Sequence, residues 1–365
     1  PAISARSMNA KQAPPTRAPI LGRTLFGVLI LLAALVAGQS LLWRWSTGAL
    51  AEGFSDWVIK HRAQGWSINH DIPDRSGWPF AARLIIPRLS IESPGDEASG
   101  QGMGWQVQAI TLATPLPLPD ALRLEATGPQ ALRLGATRIP FTTERFAALL
   151  PLEAGQPPRR ANALMQGIVA QTPDGVLTIN RLGGDANWSR NAEPALALQF
   201  AAEDAALPPT WLRTPALAGF GPKLTRLEFD GALYGSVLPL PSLREQLDAW
   251  RASDGKLDVR QLRLAWGDLD AGLRLSARLD QALQPALAGT LSVTNPNAAL
   301  DSLARSGLIQ RRALDGTKFA VGMLTRRPPN GGPPVAEIPI SLQNGVVSVV
   351  QIPLTRLPPI VWPQH

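Results

Sequence analysis

The sequence predicts a mainly β protein that is carried on an N-terminal transmembrane helix and a helical stalk. The β part is expected to be an elongated, curved antiparallel sheet, arranged as a groove or as a sandwich, with a few short helices. Three observations predict this architecture: a long uncharged apolar segment near the N-terminus, an alternation of apolar and polar residues later in the chain, and repeated Asp-Gly and Asn-Gly dipeptides.

The uncharged segment runs from Thr24 to Trp43 and has the length of a membrane-spanning helix. At about 1.5 Å per residue, it matches a hydrocarbon core of about 30 Å. Arg23 precedes it, and Trp43, Arg44 and Trp45 form its other end, where indole rings and a guanidinium suit the lipid headgroup region. Residues 24–43 are therefore predicted to be a membrane anchor.

Two other interpretations of this segment stay open. Val36-Ala37-Gly38 is a weak site for signal-peptide cleavage, and an apolar helix of this length could also be buried in a protein core. The apolar run is longer than a signal peptide needs, and it follows a basic leader, which favours the anchor.

The distribution of charge predicts the orientation of the anchor. Residues 1–50 carry five basic and no acidic side chains, which leaves 30 basic and 28 acidic side chains in the rest of the chain. Most of these five precede the apolar segment, so the positive-inside rule places residues 1–23 in the cytoplasm as a basic, disordered leader. The helix is expected to cross the inner membrane of a bacterium once, with the main domain in the periplasm. Because the chain begins at Pro1, Met8 is a candidate for the natural start.

The net charge of +7 therefore reflects the leader and not a surface for nucleic acid. The basic pairs of the large domain are isolated and have no interleaved aromatic residues: Arg159-Arg160, Arg311-Arg312 and Arg326-Arg327. No nucleic-acid partner is expected.

Beyond the anchor, apolar residues at helical spacing predict a stalk over residues 44–65, ahead of a β-rich domain over residues 66–365. The clearest β pattern lies between Leu257 and Leu279, where apolar residues alternate with polar or charged ones. The near-repeat ALRLEAT and ALRLGAT, at residues 121–137, predicts one antiparallel hairpin. Tight turns are predicted at Asp174-Gly175, Asp230-Gly231, Asp254-Gly255, Asp315-Gly316 and Asn344-Gly345.

Three short helices are predicted within the β-rich domain. A capping box begins at Ser242, and the helix that follows ends before Asp254. Other helices are expected over residues 297–306 and, from a weaker pattern, over residues 143–150. Proline clusters mark loops and edges, because proline is excluded from central strands. They indicate a boundary near residues 201–222 between two β-rich halves.

The residue types that carry most protein chemistry are scarce. Cysteine is absent, and the chain has three histidines, His61, His70 and His365. No nucleophile elbow, phosphate-binding loop, dinucleotide fingerprint or paired-cysteine metal motif is present. Asp268 and Asp270 would face one side of a strand as a carboxylate pair, but solvated positions on a polar face explain them more simply. The protein is expected not to be an enzyme and to hold no metal or cofactor.

A series of short motifs, taken in order, resembles the uncharacterised domain-of-unknown-function family 2125. These motifs are Gly77-Trp78-Pro79-Phe80, Pro87-Arg88-Leu89, Gly104-Trp105, Leu264-Ala265-Trp266-Gly267 and Asn344-Gly345-Val346-Val347. The resemblance covers most of residues 50–360. That family is in turn remotely similar to AsmA-like envelope proteins, whose β-rich grooves are implicated in moving lipid between the two membranes. The resemblance implies location and architecture, and it carries no catalytic or binding residues.

These observations lead to two expectations for function. In the first, the anchored protein binds lipid or another amphipath in a β-groove and contributes to lipid homeostasis or transport in the envelope. In the second, it is a non-catalytic structural or assembly factor of the envelope that binds protein partners. In both, the lipid bilayer is a partner through the single transmembrane helix, and the sequence does not identify the residues that would bind lipid.

Overall fold

The structure of the protein is a computed structural model, and it describes residues 20–94, 102–153, 158–189, 193–236, 242–307, 310–329 and 331–362. Met8, His365 and most of the predicted leader lie outside these residues. The described chain forms one long N-terminal helix, one large antiparallel sheet and several short helices. The prediction of a mainly β protein with a long apolar N-terminal helix is confirmed.

The first helix, α1 (Ile20–Ala63), joins the predicted membrane segment and the region of the predicted stalk in one continuous element. Large apolar side chains are exposed along its first part, from Leu25 to Leu41. This part is long and apolar enough to cross a membrane. Further along, the burial becomes one-sided, because Phe54 and Val58 pack into the core while their neighbours stay exposed.

The first half of the sheet contains nine strands: β1 (Ser67–Asn69), β2 (Asp74–Ser76), β3 (Ala81–Glu92), β4 (Met103–Pro115), β5 (Ala121–Leu134), β6 (Thr137–Thr142), β7 (Arg145–Pro151), β8 (Arg160–Thr172) and β9 (Gly175–Trp188).

The second half continues the sheet and carries the short helices: β10 (Leu196–Ala206), α2 (Pro215–Ala218), β11 (Lys223–Tyr234), α3 (Leu243–Ala252), β12 (Lys256–Trp266), β13 (Leu269–Leu279), β14 (Pro285–Thr294), α4 (Pro296–Arg305), α5 (Arg311–Met323), β15 (Thr325–Arg326), β16 (Val335–Gln343), β17 (Val346–Val349) and β18 (Ile352–Arg356). A single 3-10 turn (Trp211–Arg213) precedes α2.

The sheet is an antiparallel meander in which most strands pair with the next strand along the chain. β1 and β2 both pair with β3, and β5 pairs with β7 along its first half and with β6 along its second half. From β8 to β14 the order in the sheet is the order in the sequence. β14 then pairs with β16, whose other edge is taken by β15 and β17. β10 and β11 pair directly, so the sheet continues through the interval in which two halves were expected to divide.

Several local predictions are confirmed. Ser242 caps α3, since its hydroxyl accepts a hydrogen bond from the Glu245 amide at 3.2 Å. Asp174-Gly175 joins β8 to β9, and Asn344-Gly345 joins β16 to β17. The alternating segment forms β12 and β13, and its change of phase between Val259 and Leu262 is a β-bulge.

The predicted hairpin over residues 121–137 is wrong, because β5 is one continuous strand from Ala121 to Leu134. Gly128, at a φ of 79°, belongs to a bulge and does not reverse the chain. The register against β4 shifts there, between Val107 and Ala109, and β4 is long enough to pair with both halves of the near-repeat.

The predicted helix over residues 143–150 is also wrong, because these residues contribute to β7. Phe146, Ala148 and Leu150 alternate along one side of β7 and pair with Ala126, Leu124 and Leu122 of β5. This segment forms a strand because it pairs with β5 on one edge and with β8 on the other. Strand formation depends on neighbouring strands more than on local propensity.

Two of the predicted turns do not reverse the chain. Asp230-Gly231 lies inside β11 at a bulge against β12, and Asp315-Gly316 lies inside α5. Asp254-Gly255 follows α3 and leads into β12, with Asp254 at a φ of 55°.

The most deeply buried core lies where α1 packs on the first strands of the sheet. Its members come from α1, β1, β3, β4 and β5: Phe54, Val58, Ile68, Leu84, Ile86, Leu89, Val107, Ile110 and Ala126. This core holds the second half of α1 against the beginning of the sheet.

Candidate functional site

One side of the sheet is apolar from β10 to β16. Residues that pair directly across neighbouring strands share a side of the sheet, and their rows are almost entirely apolar on this side. Four adjacent rows are Leu196, Leu233, Leu257, Ala277, Leu287 and Leu342; Leu198, Gly231, Val259, Leu275, Gly289 and Ile340; Phe200, Phe229, Leu262, Leu273, Leu291 and Ile338; and Ala202, Leu227, Leu264, Ala271, Val293 and Ala336. We call this surface the apolar face.

The opposite side of the same strands, the polar face, carries amides and charges. Its rows include Gln199, Asp230 and Gln261, which pair directly across β10, β11 and β12. Ion pairs join neighbouring strands there, such as Arg263 with Asp270 at 3.2 Å. The two sides of the sheet therefore differ in chemistry over several strands.

The apolar face is only partly covered by other elements. All the described strands belong to one hydrogen-bonded sheet. α1 packs on β1 and β3, at the beginning of the sheet, and the short helices α3 and α4 contact β13. Near the end of one row Phe220 packs on Trp266, with ring centroids 5.7 Å apart. On β10, the first strand of the face, Leu198 and Phe200 are each 39% exposed.

Two phenylalanines lie side by side on β10 and β11, the first two strands of the apolar face. The rings of Phe200 and Phe229 are stacked with centroids 5.2 Å apart. Glycines make room for them, because a Cβ at Gly231 would lie 2.5 Å from the Phe229 ring and one at Gly184 would lie 3.3 Å from the Phe200 Cβ. Because the glycines have no side chains, the two aromatic rings form the surface at this point.

A shallow depression of about 600 Å³ lies over β8 to β12 and contains several acidic side chains. Three of its acidic side chains have partners: Asp230 accepts from Gln199 and Arg260, Asp185 accepts from Asn162, and Glu228 is paired with Arg226. In the part of the chain that the structure describes, no group of three or more His, Cys, Asp or Glu residues is arranged to hold a metal ion. The depression thus has the features of a solvated polar face.

Of the two described histidines, His61 lies in α1 and His70 packs beside it. His61 Nδ1 lies 2.8 Å from the Trp57 carbonyl oxygen, and His70 Nδ1 lies 2.6 Å from the Asp71 carbonyl oxygen. The His70 ring also meets Phe54 edge-on, with centroids 4.9 Å apart. Both rings therefore have structural contacts.

Asp268 and Asp270, which the sequence placed on one side of a strand, have separate partners. Asp268 lies in the turn before β13, where it accepts hydrogen bonds from Ser302 at 2.8 Å and Arg305 at 2.9 Å. The Ser302 hydroxyl, and after it the Arg305 guanidinium, hold the pKa of Asp268 below its ordinary value. Asp270 is instead bound by Arg263 of β12. Each carboxylate has its own cation.

The predicted anchor residues lie along α1. Arg23 and Thr24 are in its first turns, and Arg44 and Trp45 are exposed. The indole N–H of Trp43, which was predicted to lie at the headgroup end of the anchor, donates to the Ser76 carbonyl oxygen at 3.1 Å. The sequence did not predict this contact, which brings β2 beside the end of the apolar segment.

The motif Gly77-Trp78-Pro79-Phe80 forms the turn between β2 and β3. Gly77 has a φ of 95°, and a Cβ there would lie 2.6 Å from the Ala81 carbonyl oxygen, so only glycine fits without a shift. The Pro79 carbonyl accepts a hydrogen bond from the side-chain amide of Gln39 in α1. Trp78 and Phe80 are exposed on either side of Pro79.

These features define a class of protein in which a long apolar helix carries one large two-faced antiparallel sheet. The chain belongs to the family described as uncharacterized protein conserved in bacteria (DUF2125), which matches residues 43–358. No curated protein and no solved structure matches the chain. The remoter similarity to AsmA-like proteins stays a prediction.

Proposed function

We propose that this protein binds lipid or another amphipath along the apolar face and contributes to lipid transport or homeostasis in the bacterial envelope. One observation carries the proposal: the apolar face is unbroken from β10 to β16, and its first strand is exposed at Leu198 and Phe200. Monomeric soluble proteins rarely expose a large continuous apolar surface, and such surfaces usually bind a ligand, a protein or a membrane.

The dimensions of the apolar face suit acyl chains. At about 4.8 Å between neighbouring strands, the six strands β10, β11, β12, β13, β14 and β16 extend over roughly 24 Å. One leaflet contributes about half of a hydrocarbon core of about 30 Å, so an acyl chain would fit within the face. Each methylene buried there would contribute about 0.8 kcal/mol.

In this proposal α1 spans the inner membrane once, with the N-terminus in the cytoplasm and the sheet in the periplasm. The exposed apolar part of α1 and the basic residues that precede it in the sequence support this orientation. The proposal requires no catalytic step, and the carboxylates of the polar face described above are engaged with their own partners.

Site-specific photocrosslinking in cells tests the proposal. A photoreactive amino acid replaces Leu198 or Phe200 on the apolar face, and the matched control replaces Gln199, which lies between them on the polar face. After irradiation the full chain is purified and adducts are identified by mass spectrometry. We expect lipid adducts at residues 198 and 200 and none at residue 199.

Other outcomes separate the alternatives. A defined protein adduct at residues 198 and 200, without lipid, would replace the proposal by the assembly-factor function. Lipid adducts of equal yield at residue 199 would show contact with bulk membrane and no selectivity for the apolar face. The absence of any adduct at residues 198 and 200 would overturn the proposal.

A further inference from the structure

The turn between β2 and β3 lies beside the last part of the apolar segment of α1. Gln39 donates to the Pro79 carbonyl oxygen and Trp43 donates to the Ser76 carbonyl oxygen, 3.1 Å away. Gln39 is four residues before Trp43, which corresponds to about 6 Å along a helix. Groups that lie in a membrane interface are buried by about 5–10 Å. If α1 spans a membrane, the turn therefore lies in the membrane–water interface.

The first strands run away from this end of α1. β3 begins next to the turn, and its far end pairs with β1, where Arg62 of α1 donates to the Ile68 carbonyl oxygen from Nε at 3.1 Å. α1 and β3 thus run side by side in the same direction. The beginning of β3 and the end of β4, which pair at Ala81 and Pro115, consequently lie on the membrane side.

A second loop joins the first at this end. The Leu116 amide donates to the Phe80 carbonyl oxygen at 2.9 Å, which places residues 116–119 next to residues 77–80. We call these two segments the membrane-side loops. Their apolar side chains point away from the protein: Trp78 is 51% exposed, Phe80 is 81% exposed and Leu118 is 77% exposed.

Unpaired arginines surround the membrane-side loops. Arg44, Arg75, Arg83 and Arg123 are exposed, and their side chains form no hydrogen bond or ion pair with any residue that the structure describes. Arg83 and Arg123 lie in one row, since both pair with Ala113 of β4. Guanidinium groups beside exposed aromatic rings suit the boundary where lipid phosphates meet acyl chains.

We infer that the membrane-side loops form a second membrane contact, in which Trp78, Phe80 and Leu118 enter the outer leaflet of the membrane that α1 crosses. This inference goes beyond lipid binding on the apolar face and rests only on α1 spanning a membrane. The contact would fix the tilt of the sheet relative to the bilayer and keep the first strands next to the lipid.

Depth measurement with single-cysteine variants tests the inference, because the chain contains no cysteine of its own. Phe80→Cys and Leu118→Cys are labelled with an environment-sensitive fluorophore, and the full chain is reconstituted in phospholipid vesicles. Quenching is measured with lipids that carry a nitroxide near the headgroup or near the end of the acyl chain. We expect both labels to lose fluorescence with the shallow quencher.

The matched control is Ile72→Cys, at a side chain that is equally apolar and exposed. The backbone amide of its neighbour Asp71 donates a hydrogen bond to the Pro87 carbonyl oxygen. Pro87 lies six residues, or about 20 Å, along β3 from Ala81. The label at residue 72 should stay unquenched. If the label at residue 80 or at residue 118 is quenched no more than this control, the inference is wrong.

A second control separates this inference from the anchor itself. Leu35→Cys lies in the apolar part of α1 and should be quenched by the deep nitroxide. Quenching at residue 35 without quenching at residues 80 and 118 would keep the anchor and overturn the second contact. No quenching at residue 35 would overturn both, and neither result bears on the apolar face.

Discussion

The beginning of the sheet and its later part share one pattern of alternation but differ in how deeply the apolar side is buried. In β3, Leu84 is fully buried, and Ile86 nearly so, under α1. In β10, Leu198 and Phe200 occupy the equivalent side of a strand and stay partly exposed. The alternation therefore determines which side of the sheet is apolar, whereas the position of the long helix determines whether that side is buried in a core.

The same helix accounts for both the membrane segment and the core. Within residues 25–41 its large apolar side chains are exposed. Further on, Leu50, Phe54 and Val58 recur at four-residue spacing and pack on the sheet. The helix ends at Ala63, so it has no further length with which to cover the later strands.

The largest expected effect comes from Leu84→Ala. Leu84 is fully buried in the core beneath α1, so its truncation should lower the free energy of unfolding by about 3 kcal/mol through lost burial and an unfilled cavity. Urea unfolding of the full chain in detergent micelles, followed by tryptophan fluorescence, measures the loss.

Leu198→Ala is the matched control on the apolar face. Because Leu198 is already partly exposed, its truncation should cost less than about 1 kcal/mol. Equal losses for the two variants would mean that the later strands are covered as completely as the first ones, and the comparison between the two regions would fail.

Gly77→Ala should have the next largest effect, because it disturbs the turn that contacts α1. The positive φ and the close approach of the Ala81 carbonyl oxygen predict a loss of about 1–3 kcal/mol in the free energy of unfolding. Gly316→Ala in α5 is the control, since no atom lies within 4 Å of its added Cβ and helical alanine is favoured by about 1 kcal/mol. A Gly77 variant as stable as Gly316→Ala would show that the turn tolerates a side chain.

The sequence predicted the helices and strands that have a local pattern, such as a capping box or an alternation of apolar and polar residues. It did not predict the elements whose structure depends on contacts with distant parts of the chain. Ser242 with Glu245 located α3, and the alternation before Leu279 located β12 and β13. The strand at Phe146 was missed because its partners in β5 and β8 decide its structure. The contact of Trp43 with Ser76 joins residues 33 positions apart, and no local pattern encodes it.

Ser242→Ala tests a short helix of the later region. Removal of the hydroxyl leaves the Glu245 amide without its capping partner, which should cost about 1 kcal/mol. α3 is linked to the sheet through Trp250, whose indole N–H donates to the Tyr234 carbonyl oxygen at 2.7 Å.

Faster hydrogen exchange in α3, with unchanged exchange in α1, is the expected readout for this variant. Ser242→Asp should restore protection, because a carboxylate caps a helix equally well. If exchange in α1 increased by the same amount, the two regions would unfold as one cooperative unit.

The smallest effect concerns Asp268, which ties the turn before β13 to α4 through Ser302 and Arg305. Because these contacts lower the pKa of Asp268 in the folded protein, its contribution to stability is present above the unfolded pKa and is lost as pH falls through the folded pKa. The wild-type protein should therefore lose stability towards acid slightly more steeply below about pH 4 than Asp268→Asn does. Urea midpoints of both proteins between neutral and acidic pH measure the difference. The reverse slope would mean that Ser302 and Arg305 do not hold the Asp268 carboxylate in solution.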